Sequence, residues 1–152
     1  MPRLTIELVP SSCWFSNVRD HVTQDQWDKI RRKTYRDANY VCQVCGGRGD
    51  KWPVECHQIW QYDDKNHVQK LVGLIALCPN CHKAKHIGYA TISGNAEVAQ
   101  AHLAKVNNWK AETVKSYIAS AFSVWERRSQ HEWKLDLSWL HSNFGIDIQE
   151  KR

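Results

Sequence analysis

The sequence lacks several features that would place it among membrane or secreted proteins. Its 152 residues contain no apolar run long enough to span a bilayer. The first residues, from Met1 to Glu7, do not have the pattern of a secretory signal peptide. The sequence also has no internal repeat, no low-complexity tract and no clear interdomain linker. These absences predict a cytoplasmic protein without a membrane partner, folded as a single domain over residues 1–152.

Four of the six cysteines form two Cys-x-x-Cys pairs, a spacing typical of a closed tetrahedral zinc site of the structural type. The predicted zinc ligands are Cys42, Cys45, Cys78 and Cys81. Gly46 and Gly47 follow the first pair and are expected to let the chain leave the turn with positive φ. Of the two remaining thiols, Cys13 is expected to be a small buried side chain. We expect the same of Cys56, with metal ligation as the less favoured alternative.

Three histidines lie within or beside the cysteine pairs. Pro79 follows Cys78, which predicts that Cys78 caps a helix carrying Cys81, His82 and His86. Residues four apart share a helix face, so His82 and His86 should point together, away from the zinc. With His57 on the preceding strand, they predict a second, open and reactive site. The alternative is a zinc-stabilised helix with solvated histidines.

The charge distribution is compatible with a nucleic-acid partner. The formal net charge is +5, a mild basic excess. One cluster precedes the first cysteine pair and comprises Lys29, Arg31, Arg32, Lys33 and Arg36. Lys83 and Lys85 lie on the predicted metal helix, and Arg127 and Arg128 form a third cluster. We expect the first two groups to contact phosphates, although a basic helix face is often simply solvated.

Hydrophobic periodicity and turn residues predict an α+β fold. The predicted strands cover residues 4–9, 54–62, 68–77 and 133–137. The predicted helices cover residues 23–36, 78–88, 95–106 and 111–128, and Thr23 is expected to be the N-cap of the first. A turn is expected at residues 63–66. Strand 133–137 is expected to pair with strand 4–9.

The segment from Cys42 to Gly88 resembles the HNH endonuclease family in its zinc-bearing treble-clef form. The resemblance rests on Cys42-x-x-Cys45-Gly, Val54-Glu-Cys-His57-Gln-Ile59, and Leu74-Ile-Ala-Leu-Cys78-x-x-Cys81-His82-x-x-x-His86. The flanking Pro10–Trp14 and Trp27–Arg31 segments look like a bacterial or phage subgroup. The resemblance implies a ββα-metal core over about residues 42–88, with a helical extension over about 95–130.

The resemblance also implies phosphodiester hydrolysis in nucleic acid, with DNA as the first expectation. It places His57, His82 and His86 on metal-ligand positions for a second divalent cation (Mg²⁺, Mn²⁺, Ni²⁺ or Zn²⁺), beside the structural zinc. In such nucleases the cation contacts the scissile phosphate while a histidine activates water. The expected catalytic residues are therefore His57, His82, His86 and the residue at position 58.

Position 58 departs from the family, because a glutamine stands where the general base is expected. A neutral amide has no useful proton affinity. Three explanations stay open: another group supplies the base, with His67 and Glu55 nearest in sequence; the protein is a catalytically weakened binder; or Gln58 replaces a natural Glu or His. Strict strand alternation would place Gln58 opposite His57. The alternative function is a non-catalytic zinc-stabilised module that binds nucleic acid or protein, and the oligomeric state stays open.

Overall fold

A computed structural model describes residues 2–13 and 17–148; Trp14, part of the flanking resemblance, lies outside them. A short 3₁₀ helix, Val18–His21, precedes the first α-helix. The α-helices are α1 Gln24–Asp37, α2 Pro79–Lys85, α3 Ile87–Ile92, α4 Ala96–Asn107, α5 Ala111–Arg128 and α6 Ser138–Phe144. The strands are β1 Glu55–Asp63, β2 Val68–Leu77 and β3 Lys134–Asp136. The predicted α+β class is confirmed in this mixed form.

The sheet has three strands in the order β1-β2-β3. Strands β1 and β2 form an antiparallel hairpin, in which His57 pairs with Ile75, and the register shifts between Ile59 and Trp60. The turn predicted between them is held by Asp63, whose Oδ1 accepts from the backbone nitrogens of Lys65 and Asn66. Because the strand is regular up to Ile59, neighbouring side chains before that point face opposite sides of the sheet.

The predicted N-terminal strand is not formed. Residues 4–9 have no strand assignment, since their polar backbone groups bond to side chains and to a helix end. The Asn107 amide accepts from the nitrogens of Arg3 and Leu4 and donates to the carbonyl of Leu4. The nitrogen of Glu7 donates to the carbonyl of Lys85. Consequently β3 cannot pair with this segment, and it pairs in parallel with the start of β2 instead.

The predicted N-cap of helix α1, Thr23, is confirmed. Thr23 and Gln26 form a capping box, each side chain accepting from the other residue's backbone nitrogen. Trp27 and Ile30, one turn apart, are buried. They join a cluster with Leu71 between α1, α6 and the sheet. A second cluster surrounds the cysteines and packs α2, α4 and α5 together.

Three further features differ from the sequence-based expectations. The metal helix ends at Lys85, with His86 as its C-cap, and the chain then continues in α3 up to Ile92. Helix α6 and the 3₁₀ helix were not predicted, because each is too short to establish a clear period. Within the described ranges, no helix is both long and apolar enough to cross a membrane.

Candidate metal centres

The four paired cysteines come together as predicted and could hold a metal ion such as zinc. We call them the cysteine cluster: Cys42, Cys45, Cys78 and Cys81, whose sulfurs lie within 4.8 Å of one another. The sulfurs of Cys45 and Cys78 are 3.6 Å apart. Tetrahedral bonds of about 2.3 Å would separate two thiolates by about 3.8 Å, so the spacing suits a zinc ion.

The local sequence explains how the cluster is positioned. Gly46 has a φ of 77° and turns the chain after the first pair. Gly47 does not share this conformation, contrary to expectation; a Cβ there would lie 3.3 Å from the sulfur of Cys45. Glycine at position 47 therefore makes room for the metal ligand. On the other side, Cys78 caps α2 as predicted, its sulfur accepting from the nitrogen of Cys81 at 3.4 Å.

One neighbour of the cysteine cluster was missed by sequence reasoning. Nε2 of His102, on α4, lies 3.0 Å from the sulfur of Cys81, where an N–H donor would stabilise a thiolate. The hydrogen bond between Cys81 and Cys42 lowers the pKa of the Cys42 thiol and raises that of Cys81. No spacing signal connects His102 to the cysteine pairs, because α4 begins a separate helical period.

The three expected histidines also converge. We call them the histidine cluster: His57, His82 and His86, which each offer a ring nitrogen within 4.8 Å of the others. Nε2 of His82 is 3.1 Å from Nε2 of His86. The ring of His57 lies edge-on to both, with centroids 5.2 and 5.0 Å away. Burial lowers the pKa of His57, and burial together with His82 lowers the pKa of His86 to about 3.

Two carboxylates contact the histidine cluster. Oε2 of Glu7 is 2.6 Å from Nε2 of His57, and Oε1 of Glu55 is 3.1 Å from Nδ1 of His82. Burial alone would raise the pKa of Glu7, but His57 and Lys85 outweigh it and hold the pKa below its ordinary value. The hydrogen bond from His82 lowers the pKa of Glu55. Glu7 was missed because it precedes His57 by 50 residues in a segment predicted to pair elsewhere.

The structure does not bring Gln58 to the histidine cluster. Its Oε1 accepts from the backbone nitrogen of Val18 at 2.9 Å, on the opposite face of the hairpin from His57, as strict alternation requires. His67 is also remote: it follows the far end of β1, about 20 Å along the strand from His57, and stacks on His131. Of the two bases considered in place of Gln58, only Glu55 contacts the cluster.

The basic residues are distributed over both sides of the sheet. The α1 group is carried by the helix whose buried side packs on the Cys56 face, away from His57. Within it, Arg31 pairs with Asp28 and Lys33 with Asp37, whereas Lys29, Arg32 and Arg36 are exposed. Lys83 is half-buried on α2.

Lys85 does not fit the expected phosphate contact. It is buried, and its Nζ donates to Oγ1 of Thr5 at 2.7 Å and lies 3.4 Å from Oε1 of Glu7. A cation enclosed in this way holds the N-terminal segment against α2.

The two leftover thiols behave as small core side chains. Cys13 is buried and Cys56 half-buried, and burial raises the pKa of each thiol to about 11. Cys56 belongs to neither ligand group among the described residues.

Comparison of the chain with protein-family models, curated proteins and solved structures gives no match.

Proposed function

We propose that the chain is a metal-dependent nuclease that hydrolyses phosphodiester bonds in nucleic acid, with DNA as the first substrate to test. In this proposal the cysteine cluster, the β1–β2 hairpin and α2 form a treble-clef ββα-metal unit. One observation carries the proposal: three histidines each offer a ring nitrogen within 4.8 Å of the others, and two carboxylates lie within hydrogen-bond distance of nitrogens of two of these rings.

The donor set suits a divalent cation. Ligand nitrogens about 2.0–2.1 Å from a tetrahedral ion lie about 3.3 Å apart, and Nε2 of His82 and Nε2 of His86 are separated by 3.1 Å. Imidazole nitrogens suit zinc or nickel better than calcium. His57, His82 and His86 would hold the ion, and three protein ligands leave positions open for phosphate and water.

Each carboxylate fixes the proton position and the orientation of one histidine ring. Glu55 holds the proton on Nδ1 of His82, which leaves Nε2 unprotonated toward His86. Glu7 holds the proton on Nε2 of His57, leaving Nδ1 as the nitrogen able to ligate. Such outer contacts fix the ring and increase its basicity as a ligand. Glu7 and Glu55 are therefore positioning residues in this proposal.

A bound cation would supply Lewis-acid stabilisation of the negative charge that develops on the phosphate oxygens. The protein's own contribution is to align the three rings, and burial lowers the pKa of two of them, His57 and His86. His86 suits metal ligation because its pKa of about 3 keeps it unprotonated at neutral pH. Gln58 has no part in the chemistry, because its side chain is engaged by Val18.

The test combines ion counting with cleavage. We expect two ions per chain by elemental analysis, and cleavage of plasmid or RNA with at least one of Mg²⁺, Mn²⁺, Ni²⁺ or Zn²⁺. His82→Ala should bind one ion fewer. Its cleavage rate should fall by about 100-fold or more, because the cation's charge stabilisation is worth several kcal/mol. His131→Ala, which changes a histidine in the remote stack with His67, is the matched control. Undiminished cleavage by the triple variant of the histidine cluster would disprove the proposal.

The turned-away Gln58 favours one second candidate, a non-catalytic module stabilised by zinc that binds nucleic acid or protein. Without a base at position 58, the fold could present a binding surface alone. Such a module would bind a single ion, at the cysteine cluster, and His82→Ala would leave that ion count at one. The elemental analysis therefore separates the two candidates before any substrate is found.

A further inference from the structure

A cleft of about 510 Å³ lies between α1, the start of β1 and the loop that precedes it, and it is lined in part by Glu55, which also contacts the histidine cluster. We call it the aromatic cleft. Its lining includes Trp27, Tyr40, Trp52, Arg19, Arg31 and Glu55. This volume falls within the range of pockets that bind small organic groups, so a single nucleotide fits its size.

Two rings of the aromatic cleft are unusually exposed. Tyr40 is 45% and Trp52 50% exposed, although the body of each side chain gains free energy from burial. The backbone of Tyr40 is left-handed, with a φ of 58°, an uncommon conformation for a bulky residue. Its nitrogen donates to the carbonyl of Tyr35 at 2.9 Å, which holds it there. Both rings are therefore open to solvent, and the backbone at Tyr40 is held by a hydrogen bond.

The loop that carries Trp52 is packed closely. A Cβ at Gly49 would lie 2.3 Å from the carbonyl oxygen of Trp52 and 2.7 Å from Cδ of Pro79, so only glycine permits this approach. The nitrogen of Gly49 also donates to the carbonyl of Pro53 at 2.9 Å. The position of Trp52 is therefore fixed before any ligand arrives.

The lining of the aromatic cleft includes two guanidinium groups and two carboxylates. Arg19 is exposed at its rim, and Arg31 contributes a second guanidinium. Of the two carboxylates, Asp28 already accepts from Arg31 and from Gln24. Glu55 accepts from Trp52 and contacts His82. Both carboxylates thus already have hydrogen-bond partners within the protein, Arg31 being one of them, while the exposed Arg19 can meet a phosphate.

A short chain of contacts connects the aromatic cleft to the histidine cluster. Nε1 of Trp52 donates to Oε2 of Glu55 at 3.0 Å, and Oε1 of the same carboxylate lies 3.1 Å from Nδ1 of His82. A strand that contacts Trp52 in the cleft would therefore be separated from a proposed cation ligand by one carboxylate. It would also approach α1, whose basic side chains otherwise lie across the sheet from His57.

We propose that the aromatic cleft binds an unpaired nucleotide of a single-stranded nucleic acid, adjacent to the phosphate presented to the histidine cluster. The base stacks on Trp52 and Tyr40, and a flanking phosphate contacts Arg19 and Arg31. This inference rests on the proposed nuclease function for the meaning of the neighbouring site. The combination of exposed rings and arginines is the one that single-strand binding proteins use.

Binding is measured by fluorescence anisotropy with labelled 12-nucleotide single strands of DNA and of RNA, and with a blunt DNA duplex, without added divalent cation. Stacking is worth about 1–3 kcal/mol per base, which corresponds to about 5- to 160-fold in affinity. We expect Trp52→Ala and Tyr40→Ala each to weaken single-strand binding by at least about fivefold. Duplex binding should change less. The DNA and RNA arms decide which strand is the preferred ligand.

Two variants make the test specific. Trp52→Phe keeps a stacking ring but loses the hydrogen bond to Glu55, so it should retain most of the affinity. Tyr89→Ala removes a ring that is 74% exposed on α3, outside the cleft, and should bind like the unchanged protein. Arg19→Ala should flatten the plot of log affinity against log salt by about 0.7 per lost contact.

The proposal is overturned if Trp52→Ala and Tyr40→Ala both bind single strands within twofold of the unchanged protein. It is also overturned if Trp52→Phe loses as much affinity as Trp52→Ala, because Trp52 would then act through Glu55. Failure of the nuclease proposal would appear differently, as intact single-strand binding with one ion per chain and no cleavage.

Discussion

At the scale of single residues, the side chain of Gln58 satisfies a backbone group of the 3₁₀ helix. Val18 is fully buried, and its nitrogen donates to Oε1 of Gln58. A glutamate at this position could accept the same hydrogen bond, whereas alanine could not. Position 58 therefore connects the hairpin to the segment before α1, on the face opposite the histidine cluster.

This geometry argues against position 58 as the place of the general base. We predict that Gln58→Glu changes the cleavage rate by less than about twofold, because its carboxylate cannot reach the histidine cluster. Gln58→Ala should lower the free energy of unfolding by about 1–3 kcal/mol, the cost of an unsatisfied buried donor. Chemical denaturation and plasmid cleavage test both statements. A hundredfold gain in Gln58→Glu would place this residue at the chemistry.

The sequence predicted the residues of both clusters and named one neighbour, Glu55, but it did not reveal Glu7 or His102. Cys-x-x-Cys spacing and the four-residue step from His82 to His86 are local patterns with a direct geometric meaning. Glu7 and His102 come from segments that approach only through tertiary packing, so no spacing identifies them. Gln58, expected among the catalytic residues, lies on the other face of the hairpin, as the alternation of side chains along a strand indicates.

At the scale of elements, the N-terminal segment shows why an alternating pattern is insufficient to predict a strand. Leu4 and Ile6 are buried, as in a strand with one inward face. The amide of Asn107 supplies the bonds that a neighbouring strand would otherwise provide. The sequence contains the pattern of burial but not the identity of the partner, and sheet pairing depends on that partner.

The Asn107 amide gives a test at this scale. Asn107→Ala leaves two nitrogens and one carbonyl of the segment without their partner, and we expect it to lower the free energy of unfolding by about 2–4 kcal/mol. Asn107→Asp retains an acceptor but no donor, and should lose less. Cation affinity at the histidine cluster, measured by calorimetry, should fall in parallel because Glu7 lies on the same segment. A change in unfolding free energy below about 0.5 kcal/mol in Asn107→Ala would contradict this role.

At the scale of the whole molecule, the buried side chains form two clusters whose dependence on metal should differ. Cys42, Cys78 and Cys81 are themselves members of the cluster that joins α2, α4 and α5. The cluster between α1 and α6 contains none of the paired cysteines. Ligand binding to the folded state stabilises what it holds together. Zinc should therefore stabilise the cluster that contains the cysteines more than the cluster between α1 and α6.

We predict that removing zinc with a chelator, or by Cys45→Ser, exposes the two clusters unequally. Amide hydrogen exchange should increase first in residues 42–47 and in α2 and α4, where backbone and metal ligands are combined. Amides of α1 around Ile30 should keep more of their protection. The measurement is exchange mass spectrometry with and without zinc, with Cys13→Ser as the matched control. Equal loss of protection in both regions would show a single cooperative unit.

The contacts between Lys85 and the first residues decide what would be lost if the metal-binding segment were transplanted to another protein. Lys85 joins α2 to Thr5 and Glu7, so the carboxylate that contacts His57 comes from outside residues 42–88. A cassette cut at residues 42 and 88 would carry every cysteine and histidine of the two clusters. It would leave behind Glu7 and His102, the partners of one ligand in each cluster. Grafted onto another scaffold, such a cassette would need a donated glutamate before its rings were oriented as they are in this chain.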